Sequence, residues 1–280
     1  MDYNISSEKL EHPLLKKLLG ELIPVFQKLE IKFFVIGATG RDIIMKLHGE
    51  KTGRRTQVID IAIAVDKWSA FSTIEEKITN LPDFKKDPIQ QQRFLYSDDF
   101  QIDIVPYGGI TTADDKIFWP PDQSFAMTFL GFEEAEKDLI KVKIDHTLAI
   151  DIVSLTGIFI LKLVAWKDRY YRGNIDADDI GFILLNYLYI HEERASMEHY
   201  KEVYEIEDFT IAKAGAALLR IDINNLLADN ETHKAKLKAI IETEINLEEN
   251  SVLFNQIVET NKVKFDDILD CFQILNQKIK

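Results

Sequence analysis

Arg54-Arg55-Thr56-Gln57-Val58-Ile59-Asp60-Ile61-Ala62-Ile63-Ala64-Val65 is the stretch on which the reading of this chain turns. From Gln57 to Val65 the side chains alternate as they do along a β-strand. Ile59, Ile61, Ile63 and Val65 share one face, while Val58, Asp60, Ala62 and Ala64 share the other. A second acid, Asp103, sits in the middle of another apolar strand, Gln101-Ile102-Asp103-Ile104-Val105. A carboxylate inside such a strand is costly unless it is paired or binds a cation. If the two strands are neighbours, Asp60 and Asp103 come together, and like charges at that distance call for a metal.

Upstream, His12 to Lys28 has the apolar spacing of a helix, with Pro13 in its first turn and Pro24 as a kink. Lys32 to Ile36 reads as a buried strand, Gly37-Ala38-Thr39-Gly40 as a tight turn, and Arg41 to Leu47 as the start of a helix. A strand-turn-helix opening with glycines can bring backbone N–H groups and a helix N-terminus to a phosphate. Downstream, Trp68 to Ile78 reads as a helix. Arg93 to Tyr96 and Gln101 to Val105 read as a hairpin joined through Ser97-Asp98-Asp99. Leu139 to Ile144 and Leu148 to Ile152 complete the strands. The character then changes: Ser154 to Arg169 and Asp176 to Ile190 read as helices, and the pattern stays helical from Glu192 to Lys280.

The chain has 280 residues, is 46% hydrophobic and carries a formal charge of -13. That length supports a sizeable core in one large or two medium domains. The acidic balance repels nucleic acid globally, so a polyanionic partner needs a local basic patch. Lys46, His48, Lys51, Arg54 and Arg55 form one such run, either a solvated loop or a receiver for a triphosphate or an RNA end. A single cysteine, Cys271, excludes an intrachain disulfide and reads as an inert buried thiol. No signal-peptide pattern opens the sequence, and no apolar run is long enough to span a bilayer, so a cytoplasmic protein is expected. No Ser-His-Asp arrangement or zinc spacing is recognisable, and Trp119 and Trp166 read as core.

Phe34-Val35-Ile36-Gly37-Ala38-Thr39-Gly40-Arg41-Asp42, then Arg54-Arg55-Thr56 leading to Ile59-Asp60-Ile61-Ala62, resemble the AbiEii-type nucleotidyltransferases of the DNA polymerase β-like superfamily. The resemblance extends through Gln91 to Tyr96, Asp103 to Ile110, Trp119 to Asp122 and Leu161 to Arg169, covering roughly Lys32 to Tyr187. It implies an α+β fold with a polymerase β-like mixed sheet and flanking helices over residues 1–152. The helical pattern that follows predicts an all-helical C-terminal domain over 153–280, and the lack of a Pro/Gly-rich linker at the boundary predicts that it packs against the first. The resemblance further implies transfer of a nucleoside monophosphate from a nucleoside triphosphate to an RNA or protein hydroxyl. The acceptor would be tRNA or protein, the chain a toxin countered by an antitoxin protein, and the cofactor Mg²⁺ or Mn²⁺. The metal would sit on Asp60 and Asp103, and the phosphates near Gly37, Thr39, Gly40, Arg41 and Lys162.

The superfamily's metal strand carries two carboxylates one residue apart, which puts both on one strand face, with a third on a neighbouring strand. Here the first place falls on Val58, which has no ligand atom. Three explanations stay open: a degenerate member that binds nucleotide or a partner protein without catalysing; a substitute carboxylate from Asp42, Asp66 or Asp99; or slower catalysis with one metal and a lysine. Lys162 is the lone charge in an apolar helix, either snorkelling to water or reaching phosphate. Asp176 opens the next helix as a cap and first-turn acid, or Asp176 and Asp179 form a structural or catalytic pair with Arg169 or Lys162.

Overall fold

The computed structural model describes residues 3–97, 100–121, 123 and 126–277. The chain divides into two compact units, Met1–Ser154 and Leu155–Lys280. The first contains strands β1 (Tyr3–Ile5), β2 (Phe33–Ile36), β3 (Val58–Ala64), β4 (Phe84–Lys86), β5 (Arg93–Tyr96), β6 (Phe100–Tyr107), β7 (Lys116–Phe118), β8 (Ala126–Thr128), β9 (Leu139–Ile144) and β10 (Leu148–Val153). Its helices are α1 (Leu15–Lys28), α2 (Gly37–Leu47), α3 (Trp68–Thr79) and α4 (Phe132–Ala135). Among the described residues, eight of these strands form one mixed sheet in the order β1-β9-β10-β2-β3-β6-β5-β4, and β7 pairs with β8.

The centre of that sheet follows from the alternation in β3. Ile59, Ile61 and Ile63 lie beside Ile102, Ile104 and Pro106 of the parallel strand β6, and the five isoleucines are buried completely. Burying an isoleucine side chain contributes about 1.5–3 kcal/mol, so this face fixes the register of the two strands. A slip of one residue would send Asp60 and Asp103 into the apolar layer. β2 runs antiparallel to β3 on its other side. Strand β10 then enters parallel to β2, so a segment more than a hundred residues downstream lies between β9 and β2.

Helix α1 begins at Leu15, after Pro13, and contains Pro24 without ending there. Its buried residues Leu15, Leu18, Leu19, Leu22, Ile23 and Phe26 form a single stripe. The expected turn at Gly37–Gly40 is instead the first turn of α2. Gly37 has φ +69°, so a single residue turns the corner and the helix starts directly at the end of β2. Strands β1, β4, β7 and β8 are three residues each, too short for alternation to register in the sequence. The hairpin of β5 and β6 is present; its expected turn residues Asp98 and Asp99 lie outside the described residues.

The second unit is helical throughout: α5 (Leu155–Arg169), α6 (Ile175–Glu198), α7 (Tyr200–Tyr204), α8 (Ile211–Leu226), α9 (Glu231–Leu247), α10 (Val252–Asn261) and α11 (Phe265–Asn276). Helix α6 packs against α5, α8 and α10, and α8 packs against α11. The helix expected to end at Ile190 continues to Glu198 through a kink at His191, where φ is -121° and ψ is 17°. Trp166 of α5 is buried, as expected for core, and so is Trp119 in the first unit. Cys271 of α11 is fully buried, and burial pushes its thiol up to about 12, which makes it inert near neutral pH. No helix among the described residues is long and apolar enough to cross a membrane.

Candidate functional site

In the first unit the strand register lines up Ile36, Asp60, Asp103 and Arg93 in one row across β2, β3, β6 and β5. Asp60 and Asp103 are direct neighbours on parallel strands, whose backbones lie about 4.8 Å apart. The juxtaposition of the two acids expected from their strands is therefore present. Val58, two residues along from Asp60 on the same face, presents only methyl groups.

Arg93 occupies a place in this row for which the sequence reading had no role. Its Nε donates to Asp103 Oδ1 at 2.7 Å and its Nη2 to Oδ2 at 2.8 Å, a two-pronged ion pair. The Arg93 and Asp103 side chains are 16% and 12% exposed, so the pair is largely withdrawn from water. Hydrogen bonding to Asp103 raises the Arg93 pKa above its ordinary value; burial opposes this, and the charges of Asp103, Asp60 and Asp87 add to it. A signal for this pair was available. Tyr96 faces Phe100 across the hairpin, and counting back three residues on each strand sets Arg93 against Asp103.

The opening of α2 packs against Asp60. A Cβ built on Gly37 would lie 2.4 Å from Asp60 Oδ2, so only glycine allows the carboxylate this close to the helix N-terminus. A negative charge at that end is favoured by the helix dipole. Thr39 and Gly40 are buried in the same turn. The Thr39 hydroxyl donates to the Val58 carbonyl at 3.0 Å, and the Thr56 hydroxyl to the same oxygen at 3.2 Å. Arg41, expected near phosphate, is instead completely buried. Its Nε donates to Asp42 at 2.9 Å, and Gly53 covers it so closely that a Cβ there would lie 2.5 Å from Nη2. In this arrangement the guanidinium is not presented to a ligand.

The substitute carboxylates fare no better. Asp42 is buried and accepts from Arg41 and from the Gly53 amide. Asp66 is exposed beyond the end of β3, roughly 20 Å along the strand from Asp60. Asp99 lies outside the described residues. Among the described residues no group of three or more His, Cys, Asp or Glu side chains could hold a metal ion. Val58 offers no ligand and the Asp103 carboxylate is already compensated by Arg93, so the three-carboxylate set of a two-metal centre is incomplete.

The expected basic run is partly tied down. Lys46 pairs with Glu11 and donates to the Lys9 carbonyl. Burial lowers the His48 pKa, against the charge of Glu50. Lys51 and Arg55 are exposed and Arg54 is half-buried.

Lys162, Asp176 and Asp179 come together in the second unit. The Lys162 ammonium lies 3.0 Å from Asp176 Oδ1 and 2.6 Å from Asp179 Oδ2. Arg169 reaches Asp176 with Nε at 2.7 Å and Nη2 at 2.9 Å. Asp176 and Asp179 lie three residues apart, on one face of the first turns of α6, with their basic partners on α5. Burial pushes the Asp176 carboxyl up, but the Lys162 charge and the Arg169 hydrogen bonds and charge outweigh it and hold the group well below the usual range. Lys162 is thus neither snorkelling nor aimed at an open site; two carboxylates hold its ammonium. Elsewhere in the same unit, Arg194 chelates Asp222, which accepts from Tyr187, whose hydroxyl meets Thr156 at 2.7 Å.

No family model matches the chain, and no curated protein matches it. Among solved structures, it is similar to the antibiotic-resistance factor ANT(2'')-Ia, with 10% identity over 79% of this chain and 96% of that chain and a TM-score of 0.35. It is also similar to the Elizabethkingia meningoseptica CdnE cyclic dinucleotide synthase, determined with GTP and Apcpp, with 12% identity over 98% of this chain and 93% of that chain and a TM-score of 0.28. Likenesses of this size carry no argument for function.

Proposed function

We propose that this chain is a catalytically degenerate nucleotidyltransferase-like protein of the polymerase β-like kind, a nucleotide-binding or protein-interaction module. The observation that carries this reading is the commitment of both Asp103 oxygens to Arg93, in a row where Val58 contributes no ligand. The row keeps the order of a metal strand while its side chains perform a different task. The charge of Asp103 is neutralised by an arginine, which is always charged and needs no exchangeable ion.

A labelled nucleoside triphosphate tests the reading. Mixed with Mg²⁺ or Mn²⁺ and total cellular RNA and protein, the wild-type chain is expected to transfer no label, and any nucleotide it binds should bind equally well in EDTA. Metal-dependent transfer that disappears in Asp60→Ala would overturn the reading.

A second reading keeps the transfer activity, and the side-by-side placement of Asp60 and Asp103 favours it. The chain would then move a nucleoside monophosphate to a tRNA or protein hydroxyl, as a toxin held in check by an antitoxin. Any Mg²⁺ or Mn²⁺ would have to be held on Asp60 and Asp103 against the charge of Arg93. The same assay separates the two readings.

A further inference from the structure

We propose that the Arg93 guanidinium is the resident cation of the Asp60–Asp103 site, and that removing it turns the two carboxylates into a divalent-cation site. This deepens the degenerate reading and rests on it.

Three observations converge. The register places Arg93, Asp103 and Asp60 consecutively across three strands, so one face of the sheet carries a cation beside two anions. The fork of Arg93 engages both oxygens of Asp103 at 2.7 and 2.8 Å and sets a fixed positive charge against them, so a metal ion there would meet a carboxylate already compensated and a like charge beside it. Asp60, next to Asp103 in the row, adds its negative charge to the surroundings of Arg93. Two carboxylates one strand apart and mostly out of water repel strongly unless a positive charge joins them. A guanidinium provides one positive charge with fixed planar geometry, whereas a divalent ion provides two and takes several oxygens. Two cations on Asp103 would repel each other at close range, so the arginine opposes a metal at this position.

The proposal makes a prediction that a merely missing ligand does not. If Val58 were the whole defect, Val58→Asp would by itself restore metal binding. With Arg93 as resident cation, Val58→Asp alone does little, Arg93→Met alone opens the site, and the double variant binds tightest.

The probe is Mn²⁺ itself, with bound and free ion measured by electron paramagnetic resonance, together with the Mn²⁺-induced rise in thermal midpoint. Wild type and Val58→Asp are expected to show no specific binding. Arg93→Met should bind Mn²⁺, and Val58→Asp/Arg93→Met should bind about tenfold more tightly through its added carboxylate. In either Arg93 variant, Asp60→Asn should abolish the binding. If Arg93→Met folds poorly, Arg93→Gln takes its place, with rescue of its thermal midpoint by Mn²⁺ as the readout. Arg93 variants that neither bind Mn²⁺ nor are stabilised by it overturn this proposal and leave the degenerate reading standing. So does Val58→Asp alone binding as tightly as the double variant. Specific Mn²⁺ binding by the wild type, lost in Asp60→Asn, overturns the degenerate reading as well.

Discussion

Each unit holds a cluster made of the same ingredients, two aspartates and strong bases, yet the clusters are assembled differently. In the helical unit Asp176 and Asp179 lie on successive turns of α6 and share Lys162, while Arg169 takes the remaining side of Asp176. Asp179 is completely buried. In the sheet unit one residue comes from each of three strands, and the fork of Arg93 fits a single carboxylate, Asp103, reaching Asp60 through charge. A lysine ammonium is a point charge that two acids can share; an arginine fork binds one acid well. The helical cluster is thus closed upon itself. The sheet cluster is the one whose partners can be exchanged.

Removing the central base should separate the two most sharply. Lys162→Met leaves Asp179 buried beside Asp176 without the ammonium 2.6 Å away. A loss of about 3–5 kcal/mol is expected in denaturant unfolding, because breaking a buried pair strands its charge. A loss under about 1 kcal/mol would mean that the helical cluster contributes little to stability.

The next effect is steric. Gly37→Ala meets both a positive φ and the Asp60 carboxylate, and should cost roughly 1–3 kcal/mol. In an Asp60→Ala background the cost should shrink to the backbone part alone. Equal costs in the two backgrounds would show that Asp60 and the start of α2 are not in contact.

Asp103→Asn should cost a similar amount, about 1–3 kcal/mol, well below the loss in Lys162→Met because Arg93 keeps some access to water and to the charge of Asp60. Arg93→Met/Asp103→Asn should recover part of that loss. A double-mutant cycle showing no coupling would dissolve the ion pair as a unit.

The smallest effect concerns pH. The Asp176 carboxyl is depressed in the folded chain, so its contribution is fully present above the unfolded value near 3.9 and is lost as pH falls toward the folded value. Between pH 5 and pH 3, unfolding free energies should therefore fall less steeply in Asp176→Asn than in wild type, by about 1 kcal/mol over the range. Parallel slopes would place the acid sensitivity elsewhere.

Much of the sheet unit could be read from residue periodicity. Gln57 to Val65 and Gln101 to Val105 alternate clearly enough to fix two strands and the face of each acid, and their pairing follows. The pairing of Arg93 with Asp103 was equally legible, by counting outward from the hairpin turn, but only once the hairpin is taken as a ruler and not merely as a motif. Burial was harder to foresee. Arg41 and Lys162 carry charges that composition alone assigns to water or ligand; Arg41 is buried against its sequence neighbour Asp42 by the fold's placement of Gly53, and Lys162 by Asp176 and Asp179 from the next helix. The helix beginning at Gly37 was missed because a Gly-x-x-Gly segment reads as a loop unless one residue alone makes the bend.

The position of β10 has a consequence for synthesis. Strand β2 emerges early but gains its partner on one side only when residues 148–153 arrive. Until then the hydrogen-bonding edge of β2 stands open beside an apolar surface, and closing it requires a contact spanning more than a hundred residues. Non-local pairing of this kind folds slowly and leaves nascent chains prone to association. Ribosome-bound chains that stop before β10 should accordingly recruit holding chaperones, and chains long enough to expose β10 outside the exit tunnel should release them.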